Sequence, residues 1–195
     1  MDLATRIRKD GIRGDFVECG VGKGGVAGLL GLMAEIDPTP RELWLFDSFQ
    51  GLPEPSVVDG KEAASFAGQR SDGKLMTIGK CIGTVEEVSH FLFSELRLAQ
   101  HNVHVVPGWF QETLPSHARQ PIALLHIDAD WYDSVKVALA VLWPFMSEGG
   151  FVVIDDYGYW IGARSAVADF LKALPYPIQI HRKGHTQAYL RKPPS

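Results

Sequence analysis

The glycine-rich stretch from Val17 to Gly25 (VECGVGKGG) constrains the fold of this chain more than any other part of the sequence. It follows a short apolar run and precedes an apolar segment with helical spacing, a pattern that predicts a strand, a tight turn and a helix. Glycines in such a turn permit positive φ angles and let the backbone approach a ligand closely, beside the unpaired amides that open the helix. We therefore expect a cofactor site at this turn.

Two common nucleotide-binding motifs fit the turn poorly. A P-loop has Ser or Thr after its Gly-Lys pair, whereas Lys23 is followed by Gly24. The dinucleotide fingerprint GxGxxG matches the glycine spacing only imperfectly. Glu18, at the end of the predicted strand, would repel a pyrophosphate but can accept hydrogen bonds from an ammonium or hydroxyl group. This favours S-adenosylmethionine, and the alternative is a plain glycine turn without a ligand.

The composition indicates one folded domain over residues 1–195, with 46% hydrophobic and 22% charged residues. The net charge is -4 and the basic residues are scattered, so we expect no nucleic-acid partner. No apolar run has the length of a membrane span and no secretory signal opens the chain, so we expect a cytoplasmic protein without membrane contact. We interpret Cys19 and Cys81 as free thiols.

The hydrophobic pattern predicts a doubly wound α/β sheet that is mostly parallel and has an antiparallel C-terminal edge strand. The predicted strands cover residues 15–18, 42–47, 103–106, 122–127, 151–154, 178–182 and 187–191. The predicted helices cover residues 24–36, 134–143 and 163–174, and another runs from a capping box at Thr84–Glu87 towards Ala99. Residues 1–14 form a short charged segment, and residues 48–83 are expected to form a mobile lid over the cofactor.

Two residues after predicted strands are candidates for cofactor contacts. Asp47 ends the second strand, where a ribose-binding carboxylate is found in doubly wound sheets, although it could instead cap the following turn. Trp109 follows the third strand, and its ring would either stack on an adenine or fill the core. The sequence favours neither role for Trp109.

Acidic residues follow two of the predicted central strands. Asp128 comes after the fourth strand, and Asp155 and Asp156 come directly after the fifth. The carboxyl ends of parallel strands meet at one edge of a sheet, so these carboxylates are expected to converge and to repel one another unless a cation is bound. Oxygen ligands of this kind suit Mg²⁺. The alternative is that one acid caps a helix and another faces solvent.

Five blocks of sequence together resemble the macrocin and mycinamicin O-methyltransferases, over roughly residues 14–192. These blocks are Glu18–Val21 with Gly24–Gly25, Phe46–Pro53, Pro107–Phe110, His126–Asp130 and Asp155–Tyr157. The resemblance implies a Rossmann-like class I methyltransferase that uses S-adenosylmethionine and Mg²⁺. It also implies a small glycosylated acceptor, methylated on a sugar hydroxyl in antibiotic biosynthesis, and a homo-oligomer.

The resemblance also implies roles for particular residues. The metal ligands would be Asp128, Asp155 and Asp156. The resemblance places Glu18, Gly20, Asp47 and Ser48 around the methyl donor. Further candidates for cofactor contacts are Val21, Gly24, Trp109 and Asp128. For the general base, Asp130 and Asp128 are the candidates, because related catechol-type enzymes have a lysine where this chain has Trp131.

Two further interpretations stay open from the sequence. A NAD(P)-dependent oxidoreductase would use the same type of sheet and Asp47, but it would leave the later acids without a role. A catalytically inactive S-adenosylmethionine-binding module would retain only the cofactor site. The family has a longer helical part before the first strand, where this chain has 14 residues, so a natural short form and a truncated enzyme are both compatible with the sequence.

Overall fold

The computed structural model describes residues 3–65, 81–117 and 120–194, and these contain a seven-stranded sheet with the order β3-β2-β1-β4-β5-β7-β6. The strands are β1 (Asp15–Cys19), β2 (Leu43–Asp47), β3 (Val103–Pro107), β4 (Ile122–Ile127), β5 (Met146–Ile154), β6 (His181–Lys183) and β7 (Gln187–Arg191). Strands β1 to β5 run parallel, whereas β7 is antiparallel to both β5 and β6. The predicted sheet with its antiparallel C-terminal edge is thus confirmed.

Helices cover both faces of this sheet. They are α1 (Leu3–Lys9), α2 (Gly25–Glu35), α3 (Gly60–Ala64), α4 (Val85–Ser89), α5 (Phe110–His117), α6 (Tyr132–Leu142) and α7 (Ile161–Ala173). Side chains of a strand alternate between the faces, so Phe16 of β1 joins a core with α1, α2 and α4, while its neighbour Val17 joins a core with α5, α6 and α7. None of these helices has both the length and the apolar character that crossing a bilayer requires.

Some element boundaries differ from the sequence prediction. The capping box at Thr84–Glu87 is present, but the helix that it opens passes into a π-helix over His90–Glu95 and stops short of Ala99. Arg97 has a φ of 58°, a left-handed conformation that ends helical hydrogen bonding. The sixth strand begins at His181, later than predicted, and the short charged N-terminal segment contains α1, whose Ala4 and Ile7 are buried.

The described part of the predicted lid is attached to the start of α6 at two points. Asp59 is 2% exposed, and its Oδ1 accepts a 2.6 Å hydrogen bond from the backbone N–H of Tyr132 at the start of α6. The Nε1 of Trp131 donates a 2.8 Å hydrogen bond to the carbonyl oxygen of Pro53. The rest of the predicted lid, residues 66–80, lies outside the described residues, so its role as a lid stays a prediction.

Candidate functional site

A cavity of about 430 Å³ lies at the carboxyl ends of β1, β2 and β4. The chain order of the strands reverses between β1 and β4, and ligands of open α/β sheets bind at such a switch point. Seven of the eight predicted cofactor residues line this cavity, namely Glu18, Gly20, Val21, Asp47, Ser48, Trp109 and Asp128. The eighth, Gly24, has a φ of 85° immediately before α2 and packs towards Val88 and Phe91 of the helical segment that includes α4.

The glycine turn brings the ends of β1 and β4 together. Gly20 has a φ of 90°, and a Cβ atom there would lie 1.8 Å from the carbonyl oxygen of Asp128. The backbone N–H of Asp128 donates a 2.9 Å hydrogen bond to the carbonyl oxygen of Cys19. Only glycine can therefore occupy position 20 while the first predicted metal ligand stays beside the turn.

The Asp47 carboxylate organises the glycine turn from the neighbouring strand. Its Oδ2 accepts hydrogen bonds from the backbone N–H groups of Val21 (2.7 Å) and Gly22 (3.1 Å). Its Oδ1 accepts one from the N–H of Phe49 (2.7 Å). The amides of Val21 and Gly22 are thus occupied by the protein itself, ahead of the amides that open α2. An ionised carboxylate has about four lone-pair sites, so Asp47, which lines the cavity, retains acceptor capacity at Oδ1 beyond these three hydrogen bonds.

Ser48 and Trp109 flank this carboxylate on the cavity wall. Ser48 Oγ donates a 3.0 Å hydrogen bond to the carbonyl oxygen of Gly51 and accepts a 3.1 Å hydrogen bond from the N–H of Gln50. Trp109 is partly buried and lies immediately before α5. Its ring contributes to the cavity wall, whereas neither buried core cluster includes it.

Glu18 pairs with a histidine on the next strand. Oε1 of Glu18 lies 3.1 Å from Nδ1 of His126, while Oε2 is buried and has no hydrogen-bond partner among the described residues. Burial raises the pKa of Glu18 to about 7, although the His126 partner opposes the shift. A buried oxygen without a partner, on a residue that lines the cavity, is suited to accept a hydrogen bond from a ligand.

Three carboxylates gather on the other side of the glycine turn. One oxygen from each of Asp128, Asp130 and Asp156 lies within 4.8 Å of the others. Burial, followed by the charges of Asp156 and Asp155, raises the pKa of Asp128 to about 7. Burial and the charges of Asp130 and Asp155 raise the pKa of Asp156 to about 6. Such mutual repulsion is relieved when a divalent cation binds.

The membership of this acid cluster differs from the predicted ligand set in one residue. Asp130 belongs to it, whereas Asp155 accepts a hydrogen bond from Nε2 of Gln187 on β7 through its Oδ1. Asp156 retains a buried Oδ2 without a partner among the described residues. The metal role of Asp155 stays a prediction.

Asp130 is held by an aromatic residue from another element. Trp160, immediately before α7, donates a 2.6 Å hydrogen bond from Nε1 to Oδ1 of Asp130. Asp130 itself has a φ of 53°, a left-handed conformation that aspartate adopts more readily than most residues other than glycine. Burial raises the pKa of Asp130 to about 6, while the Trp160 hydrogen bond lowers it. A carboxylate with such a pKa is suited to take up a proton near neutral pH.

The contacts of three residues at or beside this site are not predicted by the sequence. The Ser56–Asp59 spacing predicts Asp59 only as a capping residue, and both the N–H and Oγ of Ser56 donate to its Oδ2; its burial has no local signal in the sequence. Trp160 belongs to an aromatic run whose indole partner is distant in sequence, so no local pattern reveals the contact. His126 lies in an apolar strand and its partner Glu18 is 108 positions away, so no local pattern reveals their contact.

The comparisons with known proteins agree with this geometry. The model of the family "Macrocin-O-methyltransferase (TylF)" matches residues 1–192. The demethyldecarbamoylnovobiocin O-methyltransferase of Streptomyces niveus is 34% identical over 160 residues, covering 82% of this chain and 58% of the relative. An 8-demethyl-8-(2,3-dimethoxy-alpha-L-rhamnosyl)-tetracenomycin-C 4'-O-methyltransferase of Streptomyces olivaceus is 35% identical over 162 residues. That match covers 83% of this chain and 59% of the relative.

A solved structure is similar along nearly the whole chain. The O-methyltransferase NovP superposes with a TM-score of 0.85 at 27% identity, and the match covers 98% of this chain and 77% of NovP. The chain spans less than three fifths of the length of the two curated relatives, 58% and 59%. The resemblance inferred from the sequence motifs is confirmed: this chain belongs to the macrocin O-methyltransferase (TylF) family.

Proposed function

We propose that this chain is an S-adenosylmethionine-dependent, Mg²⁺-dependent O-methyltransferase that acts on a hydroxyl group of a sugar-bearing small molecule. The observation that supports this most is the single cavity at the switch point, which joins the Glu18 and Asp47 carboxylates to Asp128 and Asp130. Two of the three clustered acids, Asp128 and Asp130, thus share a cavity with the donor residues, as transfer of a methyl group to a metal-assisted hydroxyl requires.

The residues around the glycine turn fit the methyl donor. Oε2 of Glu18 has no partner among the described residues and would accept a hydrogen bond from the ammonium group of the donor. The remaining lone pair of Asp47 Oδ1 would accept one from a ribose hydroxyl of the donor. Trp109 on the cavity wall offers a ring face for the adenine. Gly20 and Val21 would approach the donor through their backbone, because no side chain fits at position 20.

The acid cluster fits a hard divalent cation. Asp128 and Asp156 would hold Mg²⁺ with Asp155 or Asp130, since carboxylate oxygens are its usual protein ligands and Oδ2 of Asp156 has no partner in the described chain. When bound, S-adenosylmethionine supplies the methyl group, and Mg²⁺ orients the acceptor hydroxyl and lowers its pKa.

Asp130 is the better placed of the two general-base candidates. Its Oδ1 is engaged by the Trp160 indole, which leaves Oδ2 to take the hydroxyl proton. Asp128 competes less well for this role, because it shares a hydrogen bond with Asp156 in the acid cluster. We therefore assign proton uptake to Asp130 and metal binding to Asp128.

A sugar-bearing acceptor is supported by the relatives. One of them carries a rhamnosyl group in the name of its substrate, and another is named for a novobiocin precursor. The chain matches only part of these relatives, so the acceptor is assigned here as a chemical class. A homo-oligomer stays a proposal on the same family grounds.

The test is a methyl-transfer assay with a tritium-labelled methyl donor and a panel of glycosylated natural products. Label should enter the sugar of at least one acceptor when Mg²⁺ is present, and EDTA should abolish the transfer. The matching aglycones serve as controls and should stay unlabelled. Transfer that persists in EDTA would contradict the metal requirement, and labelling of the aglycone would contradict the sugar assignment.

A further inference from the structure

We propose that His126 is a positioning residue for the methyl donor: it holds Oε1 of Glu18 so that Oε2 is directed to the donor's ammonium group. This inference rests on the proposed function, which places the donor beside Glu18. It adds to the site a residue that touches neither the donor nor the reacting atoms.

The sheet itself sets the position of this pair. Glu18 of β1 and His126 of β4 are register partners in two adjacent parallel strands. Both are buried, with 1% and 6% of their surface exposed. Paired positions on neighbouring strands place their side chains on the same face of the sheet, so the 3.1 Å contact between Oε1 and Nδ1 does not depend on a loop.

The two oxygens of Glu18 have different surroundings. Oε1 has the His126 ring, whereas Oε2 has no partner within the described parts of the chain although it is buried. An unsatisfied buried carboxylate oxygen is costly, and a ligand that supplies an N–H restores the missing hydrogen bond. An ammonium group has three N–H donors and a positive charge, so it matches both the oxygen and its charge.

His126 is needed because a glutamate side chain has several rotatable bonds. With Oε1 fixed by the imidazole, the carboxylate plane is fixed and Oε2 can be directed only one way. Without that contact both oxygens would lack a partner, and the side chain would rotate to find others. The amino-acid end of the donor would then lose its preorganised contact, while the adenosine end near Asp47 and Trp109 would not.

Comparing the affinities of two ligands distinguishes a positioning role of His126 from a general structural role. S-adenosylhomocysteine contains the ammonium group, and 5′-methylthioadenosine has the same adenosine without the amino-acid part. Calorimetry would measure the Kd of each ligand for the wild type and for His126→Leu, His126→Asn and Glu18→Gln, with thermal unfolding as a check of folding. Asn is the matched conservative variant because its amide nitrogen lies close to the position of Nδ1.

We expect His126→Leu to bind S-adenosylhomocysteine roughly tenfold more weakly, the cost of losing a hydrogen bond to a charged group. His126→Asn should restore most of that affinity, and 5′-methylthioadenosine should bind all variants equally. The double variant of His126→Leu with Glu18→Gln should bind no more weakly than Glu18→Gln alone, because both changes remove one interaction.

Other outcomes would overturn the inference. Equal losses of affinity for S-adenosylhomocysteine and for 5′-methylthioadenosine would indicate a purely structural histidine. Additive losses of S-adenosylhomocysteine affinity in the double variant would show that His126 does not act through Glu18. If His126→Leu does not fold, His126→Gln replaces it, because the Gln amide lies farther along the side chain than Nδ1. Equal S-adenosylhomocysteine affinities of the Asn and Gln variants would then overturn the inference. A wild type that binds neither ligand would overturn the proposed function itself.

Discussion

The indole Nε1 of Trp160 donates a 2.6 Å hydrogen bond to Oδ1 of Asp130 across 30 positions of sequence. The Trp160 ring packs edge-on against Trp131, with 4.9 Å between ring centroids, and Trp131 in turn binds the carbonyl oxygen of Pro53. Asp130 is thereby fixed in a left-handed backbone conformation beside the acid cluster. Left-handed backbone that the surroundings maintain in this way is often found at functional sites.

Replacing the proposed base should abolish turnover without removing the donor. We expect Asp130→Asn to lower kcat by about 10²–10⁴-fold, the usual contribution of a general base. S-adenosylhomocysteine affinity, measured by calorimetry, should stay that of the wild type. Glu86→Gln is the control, because it makes the equivalent acid-to-amide change at an exposed position in the first turn of α4, outside the residues that line the cavity. A wild-type kcat for Asp130→Asn would remove Asp130 from proton transfer.

Metal titrations should separate the two possible ligand sets. Mn²⁺ binding, followed by electron paramagnetic resonance, should be strongly weakened by Asp128→Asn and by Asp156→Asn, since the family resemblance and the geometry both include these residues. If the third ligand is Asp155, as the family resemblance implies, Asp155→Asn should weaken Mn²⁺ binding more than Asp130→Asn does. The reverse order would show that the third ligand is Asp130, and it would contradict the assignment of Asp130 as the general base. Wild-type binding by Asp128→Asn would contradict either set.

The sequence was sufficient for the sheet but not for the contacts within the site. Apolar runs such as β4, buried along all its length, specify their strand locally, and strand order follows from right-handed crossover rules. The Asp47 and Asp128 positions followed in the same way, because each terminates such a run. Hydrogen bonds such as Trp160 to Asp130 depend on side-chain rotamers of distant elements, which no periodic pattern encodes.

The burial of Asp59 on the cavity wall is a second feature that the sequence does not predict. Residues 48–65 are rich in polar and turn-forming residues, so their sequence predicts a loop, and Asp59 is not recognisable there as a buried group. Its burial depends on Gly162 in α7, where an added Cβ would lie 1.9 Å from Asp59 Oδ1. A glycine on one element thus makes room for a carboxylate from another, a relationship that exists only in the folded chain.

The acid cluster should make the metal-free protein less stable as pH rises. The pKa of Asp128 is raised from 3.8 to about 7, so the folded state binds its proton more tightly than the unfolded state. Its contribution to the free energy of unfolding is full below about pH 4 and is lost as pH rises through about 7. We expect Tm in EDTA to fall by roughly 2–8 °C over that window, for a loss on the order of 1–2 kcal/mol.

Differential scanning fluorimetry would check this pH dependence. Mg²⁺ binds the deprotonated carboxylates, so its addition should raise Tm more at pH 7.5 than at pH 5.5. Asp128→Asn removes one of the groups with a raised pKa and should make the Tm profile in EDTA less steep, while Glu18, Asp130 and Asp156 still titrate. A Tm in EDTA that responds to pH identically in the wild type and in this variant would contradict the assignment.

Cysteine alkylation should report on donor binding. Cys81 is exposed and lines the cavity, whereas Cys19 is fully buried and burial raises the pKa of its thiol. Iodoacetamide should therefore modify Cys81 alone, and saturating S-adenosylhomocysteine should slow the reaction. Mass spectrometry of the tryptic peptides would locate the label. Preferential labelling of Cys19, or a Cys81 rate that the ligand leaves unchanged, would be inconsistent with the described cavity.

The most direct measurement is a crystal structure of the protein grown with S-adenosylhomocysteine and Mn²⁺, with anomalous data collected for the metal. The account predicts S-adenosylhomocysteine in the switch-point cavity, its amino group at Oε2 of Glu18 and its ribose at Asp47. It also predicts an anomalous peak in contact with Asp128 and Asp156. S-adenosylhomocysteine outside this cavity, or a cavity that holds the ligand with no metal peak at the acid cluster, would contradict the proposed metal-dependent methyltransferase.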